Sequence, residues 1–236
     1  MTNEPAASTW FASVFSTPIR LLTFRATTAE LAQLNTRHLL IGLFCTWIVG
    51  VGRYWDNARA APLQRIGVGS IIYVFVFSLL LWLIVLPMRP KRNRYIQVLT
   101  FVSVVSPPAI LYAIPVEHFY SIQDANSINV IFLAIVATWR VALLMFFMRR
   151  YAEMDPFTIV VSSLLPLTLI ITTLTILNLE RVVFNLMGGL TNRSAADSSY
   201  FVLIVLTQIS MFLFVPVVLS YIILAVVRLK NTRTMQ

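Results

Sequence analysis

From residue 38 to about residue 228 the chain repeats one pattern: an apolar run of about 20 residues, then a short polar stretch rich in arginine. Six runs stand out, over residues 39–52, 66–88, 95–116, 128–148, 157–179 and 200–227. None shows the wide polar face of a surface helix, so each predicts a helix solvated by lipid or by other such helices. The expected fold is all-α, a polytopic transmembrane helical bundle of six spans with both termini cytoplasmic. Five spans result if residues 39–52, short and carrying Gly42, Gly50 and Gly52, are re-entrant.

The fourth run interrupts its own pattern. Arg140 lies nine residues before Arg149, about 13 Å along a helix and near mid-membrane. A guanidinium at that depth must face protein, water or a partner group. At 100° per residue Asn126 and Asn129 fall within about 40° of Arg140, which makes one polar seam. Ala134, Thr138 and Ala142 recur every fourth position on nearly the opposite face, a spacing that lets another helix approach. The segment is therefore expected to be a central helix packed on both sides.

The ends of the runs carry their own signals. Pro87 closes the second, Pro107-Pro108 interrupts the third, Pro166 precedes a threonine stripe in the fifth, and Pro216 marks a kink in the sixth. Thr27-Thr28-Ala29-Glu30 matches a capping box, so a helix is expected to start near Thr28 and run into the membrane. Residues 1–37 form a cytoplasmic or interfacial segment, either lying in the headgroup layer through Trp10, Phe11, Phe15 and Ile19 or hanging as an unstructured tail. No removable signal peptide is expected. Residues 38–228 make one transmembrane domain and 229–236 a cytoplasmic tail, with no internal repeat.

Composition agrees with the pattern. The 236 residues are 58% hydrophobic and 11% charged, with mean hydropathy +0.83, more apolar surface than an aqueous fold can hide. The net charge of +9 does not indicate nucleic acid, because most cations sit at the ends of apolar runs and no basic, aromatic-interleaved soluble segment exists. With six spans, 12 of the 18 Lys and Arg fall on the side of the termini, five on the other side and one in the membrane. That asymmetry puts the termini in the cytoplasm. Cys45, the one cysteine, lies in an apolar run and reads as an inert thiol.

A depth count brings Ser78, Ser103, Ser106, Thr168 and Ser210 within about 6 Å of Arg140 along the membrane normal. Thr168, Thr172 and Thr175 share a helix face. The candidate midplane polar site is Arg140, Asn129, Ser106, Thr168 and Thr172, beside the breaks at Pro107-Pro108 and Pro166. Such a layer either binds a small anionic group or is a structural network of guanidinium, hydroxyls and carbonyls. Glu117, His118 and Asp124 match no metal-ligand spacing, and Gly67-Val68-Gly69-Ser70 has no embedded histidine to activate its serine. No catalytic residue, metal or cofactor is expected.

Three resemblances follow. Asp56-Asn57-Ala58-Arg59 with Gly67 and Gly69 is distantly similar to the phosphatidyl-alcohol transferase motif, but Val68, Ser70 and Ile71 stand where that motif has its downstream aspartates, so two metal ions have no ligands. The order Phe15-Ser16-Thr17-Pro18, Pro107-Pro108 and Ala137-Thr138-Trp139 resembles the bacterial relatives of Yip-type membrane proteins. Residues 50–60 also look like a segment of bacterial integral membrane proteins. The resemblance implies a bacterial inner (plasma) membrane, usually five spans and a trafficking-type role, and it transfers no functional residues. The expected function is a non-enzymatic membrane scaffold or partner-binding protein, its partners the lipid bilayer and a second copy or another membrane protein. The alternative is a small-solute transporter or channel built around Arg140.

Overall fold

The computed structural model describes residues 7–55, 62–179 and 198–233, and every regular element among them is helical. In chain order the helices are α1 (Ala7–Leu22), α2 (Thr28–Ala32), α3 (Thr36–Gly52), α4 (Pro62–Arg65), α5 (Val68–Val85), α6 (Tyr95–Val104), α7 (Ile122–Arg150), α8 (Pro156–Ile176) and α9 (Ser198–Arg233). Five stretches are long and apolar enough to cross a membrane: Val68–Met88, Tyr95–Ala113, Gln123–Arg150, Pro156–Ile176 and Val202–Lys230. The helix Thr36–Gly52 is apolar but shorter, at 17 residues.

Contacts between termini define two ends of the bundle. At one end Arg228 of α9 meets the Met88 carbonyl after α5 and Asp155 before α8, and Lys91 N donates to Ala152 O at 3.2 Å. The Thr28 hydroxyl donates to Arg150 O at 3.2 Å, which brings the start of α2 to the same end. At the other end Trp55 Nε1 donates to Ala113 O at 3.0 Å and Trp47 Nε1 to Ile66 O at 2.9 Å. Helix α3 therefore runs beside α6 and its continuation over the same distance, antiparallel to α5.

Glycine makes α3 fit. A Cβ on Gly42 would stand 2.3 Å from Ser103 Oγ and 2.9 Å from the Ser103 carbonyl carbon, so α3 and α6 touch almost backbone to backbone. Gly67, at φ +71, approaches Trp47 O and Val51 N in the same manner. The glycines that shorten the hydropathy signal of this run are its packing surface.

The core gathers Leu21, Leu31 and Leu34 from the N-terminal segment with Val74 and Leu81 of α5, Phe101 of α6, and Leu143 and Phe147 of α7. The rings of Phe101, Phe147 and Tyr151 stack in series, with centroids 4.3 and 4.8 Å apart. On α9 the buried positions Leu203, Ser210 and Val217 recur every seventh residue; the helix packs chiefly on α8, and Val217 clusters with Leu165 of α8 and Ile84 of α5.

Two expectations are corrected. The capping box at Thr27 and Glu30 forms, but its helix stops at Ala32. Asn35 then accepts from Arg37 N at 3.0 Å and starts α3 afresh, so the chain turns before entering the bundle. Helix α7 is not packed on both sides: Ala134 and Thr138 are exposed, as are Ile131, Ile135 and Trp139, while Asn126, Asn129, Val136 and Leu143 are buried. Small residues allow a close neighbour without requiring one, whereas the asparagine seam must face protein. Helix α9 carries Pro216, where the sequence marks a kink, inside one element of 36 residues.

Candidate functional site

Pro107 and Pro108 have no N–H to offer the carbonyls of Ser103 and Val104, so α6 ends at Val104 and the chain continues as a 3-10 turn, Pro107–Ala113. In an unbroken helix Val105 O would accept from Ala109 N. That amide turns instead to Ser106 O at 3.0 Å, and Arg140 Nε fills the place by donating to Val105 O at 3.3 Å. A cation at the carbonyl end of a helix also meets the negative end of its dipole. The arginine that breaks the apolar pattern of α7 thus lies against the break in the third run.

Ser106 sits at the same break, 3% exposed. Its hydroxyl lies 2.6 Å from Thr46 Oγ1, which also donates to Gly42 O at 2.8 Å and Ser103 O at 3.3 Å. Thr46 was missed by sequence reasoning although its signal was present: Gly42, Thr46 and Gly50 recur every fourth residue, the spacing of a close helix contact. Arg53 and Tyr112 were missed as well. The Arg53 guanidinium lies 5.6 Å from the Tyr54 ring centroid and 5.2 Å from that of Tyr112. Nothing in sequence separation announces that a cation after the first run will lie over a ring of the third.

Of the five candidate residues, Arg140 and Ser106 meet at the break. Thr168 and Thr172 belong to α8: the Thr168 hydroxyl donates to Leu164 O and Leu165 O, at 3.0 and 3.2 Å, and Thr172 Oγ1 is buried without a hydrogen-bond partner. No hydrogen bond joins either to Arg140. Asn129, 8% exposed, is on the Arg140 face of α7 but eleven residues away, about 16 Å along the axis. Ser78, Ser103 and Thr175 also bond carbonyls three or four residues back in their own helices. Hydroxyls at one depth are distributed among separate seams.

The opposite concentration of polar groups lies at the end bearing the termini of α5, α7 and α9. Asp155 caps α8, accepting from Thr158 N at 2.9 Å and Thr158 Oγ1 at 2.8 Å, and it pairs with Arg228, which also donates to Thr158 Oγ1 at 2.9 Å. Burial raises the Asp155 carboxyl, but the Thr158 bonds and the Arg228 charge outweigh it and leave the group below the usual aspartate value. Glu153, at φ +53, holds Lys91 at 2.7 Å and Arg92 at 2.8 Å, and the Lys91 bond foremost keeps its carboxyl low. An open cleft of about 470 Å³ beside them is lined by Thr28, Arg149, Arg150 and Glu153. At the same end a cavity of about 20 Å³, lined by Arg92, Asn93, Phe101, Phe147 and Tyr151, holds little more than one water's centre.

His38 is 7% exposed, with Nδ1 3.1 Å from Asn35 Oδ1. The segment Asp56-Asn57-Ala58-Arg59, the acids Glu180 and Asp197, and Met187-Gly188-Gly189 lie outside the described residues, as does the side chain of Glu117. Among the described residues no three His, Cys, Asp or Glu side chains converge as metal ligands. A bundle of apolar helices around a guanidinium-capped helix break is the class that fold and site define. The chain matches no protein-family model, no curated protein and no solved structure.

Proposed function

We propose that this chain is a six-crossing integral membrane protein acting as a scaffold or partner-binding protein, with both termini on the cytoplasmic side of a bacterial inner membrane. Five helices have the needed length, and α3 joins them as a sixth crossing because it spans the distance covered by α6 and its continuation. Its 17 residues rise about 25 Å, close to the hydrocarbon thickness once its flanking residues are counted. The cationic end holds Arg20, Arg25, Arg89, Lys91, Arg92, Arg94, Arg149, Arg150, Arg228 and Lys230, which supports the cytoplasmic assignment. The layout resemblance to Yip-type proteins stands beside this reading as a proposal about origin.

The observation that carries the non-transport reading is the bond from Arg140 to Val105 O. It gives the embedded cation structural work at a broken helix, while Ser103 and Thr168 bond carbonyls of their own helices and Ser106 bonds Thr46. The exposed Ala134–Thr138 face of α7 is where a second copy or another membrane helix would pack.

Two measurements test the proposal. Arg140→Ala orphans a buried carbonyl and should destabilise the fold by about 1–3 kcal/mol, read as a lower melting temperature in detergent with no solute present. A solute that stabilises the wild type but not a folded Arg140→Ala would favour the transporter instead. Fluorescence transfer between labelled copies in vesicles should fall in the double variant Ala134→Ile, Thr138→Ile. Unchanged transfer would remove α7 as the partner face.

A further inference from the structure

The cationic end carries a more specific feature than a surplus of charge. Arg149 and Arg150 border the 470 Å³ cleft with Thr28 and Glu153. The acid does not cancel them, because its two oxygens are taken by Lys91 and Arg92 at 2.7 and 2.8 Å. Cleft and lip together therefore hold four cations and one anion. Arg149 uses Nη1 on Met154 O at 3.1 Å, and the Arg150 guanidinium lies 5.9 Å from the Phe146 ring centroid, so both are positioned at the rim.

Directly beneath the charges the surface turns apolar. Phe24 meets Phe146 edge to face at 5.7 Å while remaining 41% exposed. Its backbone is left-handed, at φ 60, a conformation that a phenylalanine rarely adopts. Trp139 Nε1 donates to Leu22 O at 3.1 Å, which fastens the end of α1 to α7 and leaves the indole 40% exposed. Trp139 to Arg150 is eleven residues, about 16 Å of helix, or one leaflet of a ~30 Å hydrocarbon core. Guanidinium groups thus stand above an aromatic-edged seam one acyl chain long.

We infer that this seam binds a single anionic phospholipid, its phosphate between Arg149 and Arg150 and one acyl chain along Phe24, Phe146 and Trp139. Charge complementarity selects the headgroup: Arg149 and Arg150 offer charge-assisted bonds to a phosphodiester, and the surplus of cations repels the ammonium of a zwitterionic lipid. The cleft is open beside both guanidinium groups, so a phosphate and the glycerol attached to it can approach them. The occupant rests on the membrane reading, so the test separates the two.

Full-length protein that leaves the membrane fraction on alkaline carbonate washing would end the membrane reading itself. Protein that stays is purified in neutral detergent and titrated with phosphatidylglycerol, phosphatidylcholine or inorganic phosphate, following melting temperature and lipid-bound ions in native mass spectrometry. Phosphatidylglycerol should raise the melting temperature and leave one retained lipid, and phosphatidylcholine should do neither. In R149Q/R150Q the apparent Kd should rise by about tenfold or more. If that variant does not fold, R150Q, whose guanidinium lies 5.9 Å from the Phe146 ring centroid, replaces it with the same expectation. The control R25Q/K230Q removes equal charge from the same end and should bind as the wild type does. An equal response to phosphatidylcholine, full reproduction by inorganic phosphate, or an equal loss in R25Q/K230Q would each overturn the site.

Discussion

Gly42 and Ser103 are so close that a methyl group on the glycine would come within 2.8 Å of the serine Cβ and 2.9 Å of its carbonyl carbon. The obstacle is partly backbone, which cannot rotate away. Gly42→Ala should therefore force α3 from α6 and destabilise the fold by about 1–3 kcal/mol, the usual cost of overpacking. Gly69→Ala is the matched control: its Cβ would meet nothing within 4 Å, and an exposed helical glycine gains from alanine. Thermal unfolding in one detergent should show the first variant melting lower and the second unchanged or higher.

Thr46→Val keeps the shape of the contact and removes its hydroxyl, leaving Ser106 Oγ and Ser103 O with one partner fewer inside the bundle. The expected loss is about 1–2 kcal/mol. Ser106→Ala made on top of it should cost little more, because its 2.6 Å partner is already gone. A double-mutant cycle by thermal unfolding measures this, and strict additivity would show that the two hydroxyls do not act together.

Arg228 joins three elements through the Met88 carbonyl, the Asp155 carboxylate and the Thr158 hydroxyl. Arg228→Gln should destabilise more than Lys230→Gln, two residues further along α9 and fully solvated. A cycle between Arg228→Gln and Asp155→Asn should return a coupling of about 0.5–3 kcal/mol. Zero coupling would mean that the α9 tail is held by other contacts.

Acid should weaken the same end. Glu30, Glu153 and Asp155 all have folded carboxyls below their ordinary values, for Glu30 chiefly through the Thr27 amide. Depressed carboxyls contribute stability that is present above their unfolded values, about 4, and is lost as pH falls through the lower folded ones. Melting temperature should be flat from about pH 7 to 5 and fall below that. The gap between wild type and Asp155→Asn should narrow along the same slope. A gap that persists at low pH would assign the Asp155 effect to the helix cap rather than to its charge.

Much of the fold was legible because lipid-type burial writes itself into local composition. All six apolar runs became helices, and the third broke at Pro107-Pro108, since a missing N–H is a local fact. The Thr27–Glu30 box was readable for the same reason, although Asn35, a second cap eight residues on, decided where the chain turned. For the candidate site only one of two coordinates was legible. Depth along a helix can be counted from sequence, and it put Arg140 and Ser106 at one level. Azimuth between helices cannot, so Thr168 and Thr172 shared that level without joining Arg140 by any hydrogen bond.

The sequence alone determined the helices, their apolar character and the crowding of cations at alternate ends, because hydropathy, proline and charge act over a few residues. Tertiary structure decided which faces meet: that Gly42 admits Ser103, that α7 turns its asparagines inward and its small residues out, and that Arg140 serves the Val105 carbonyl. Those outcomes depend on how helices distant in sequence rotate and slide until backbone polar groups are satisfied, a condition the whole bundle meets jointly and no single segment contains.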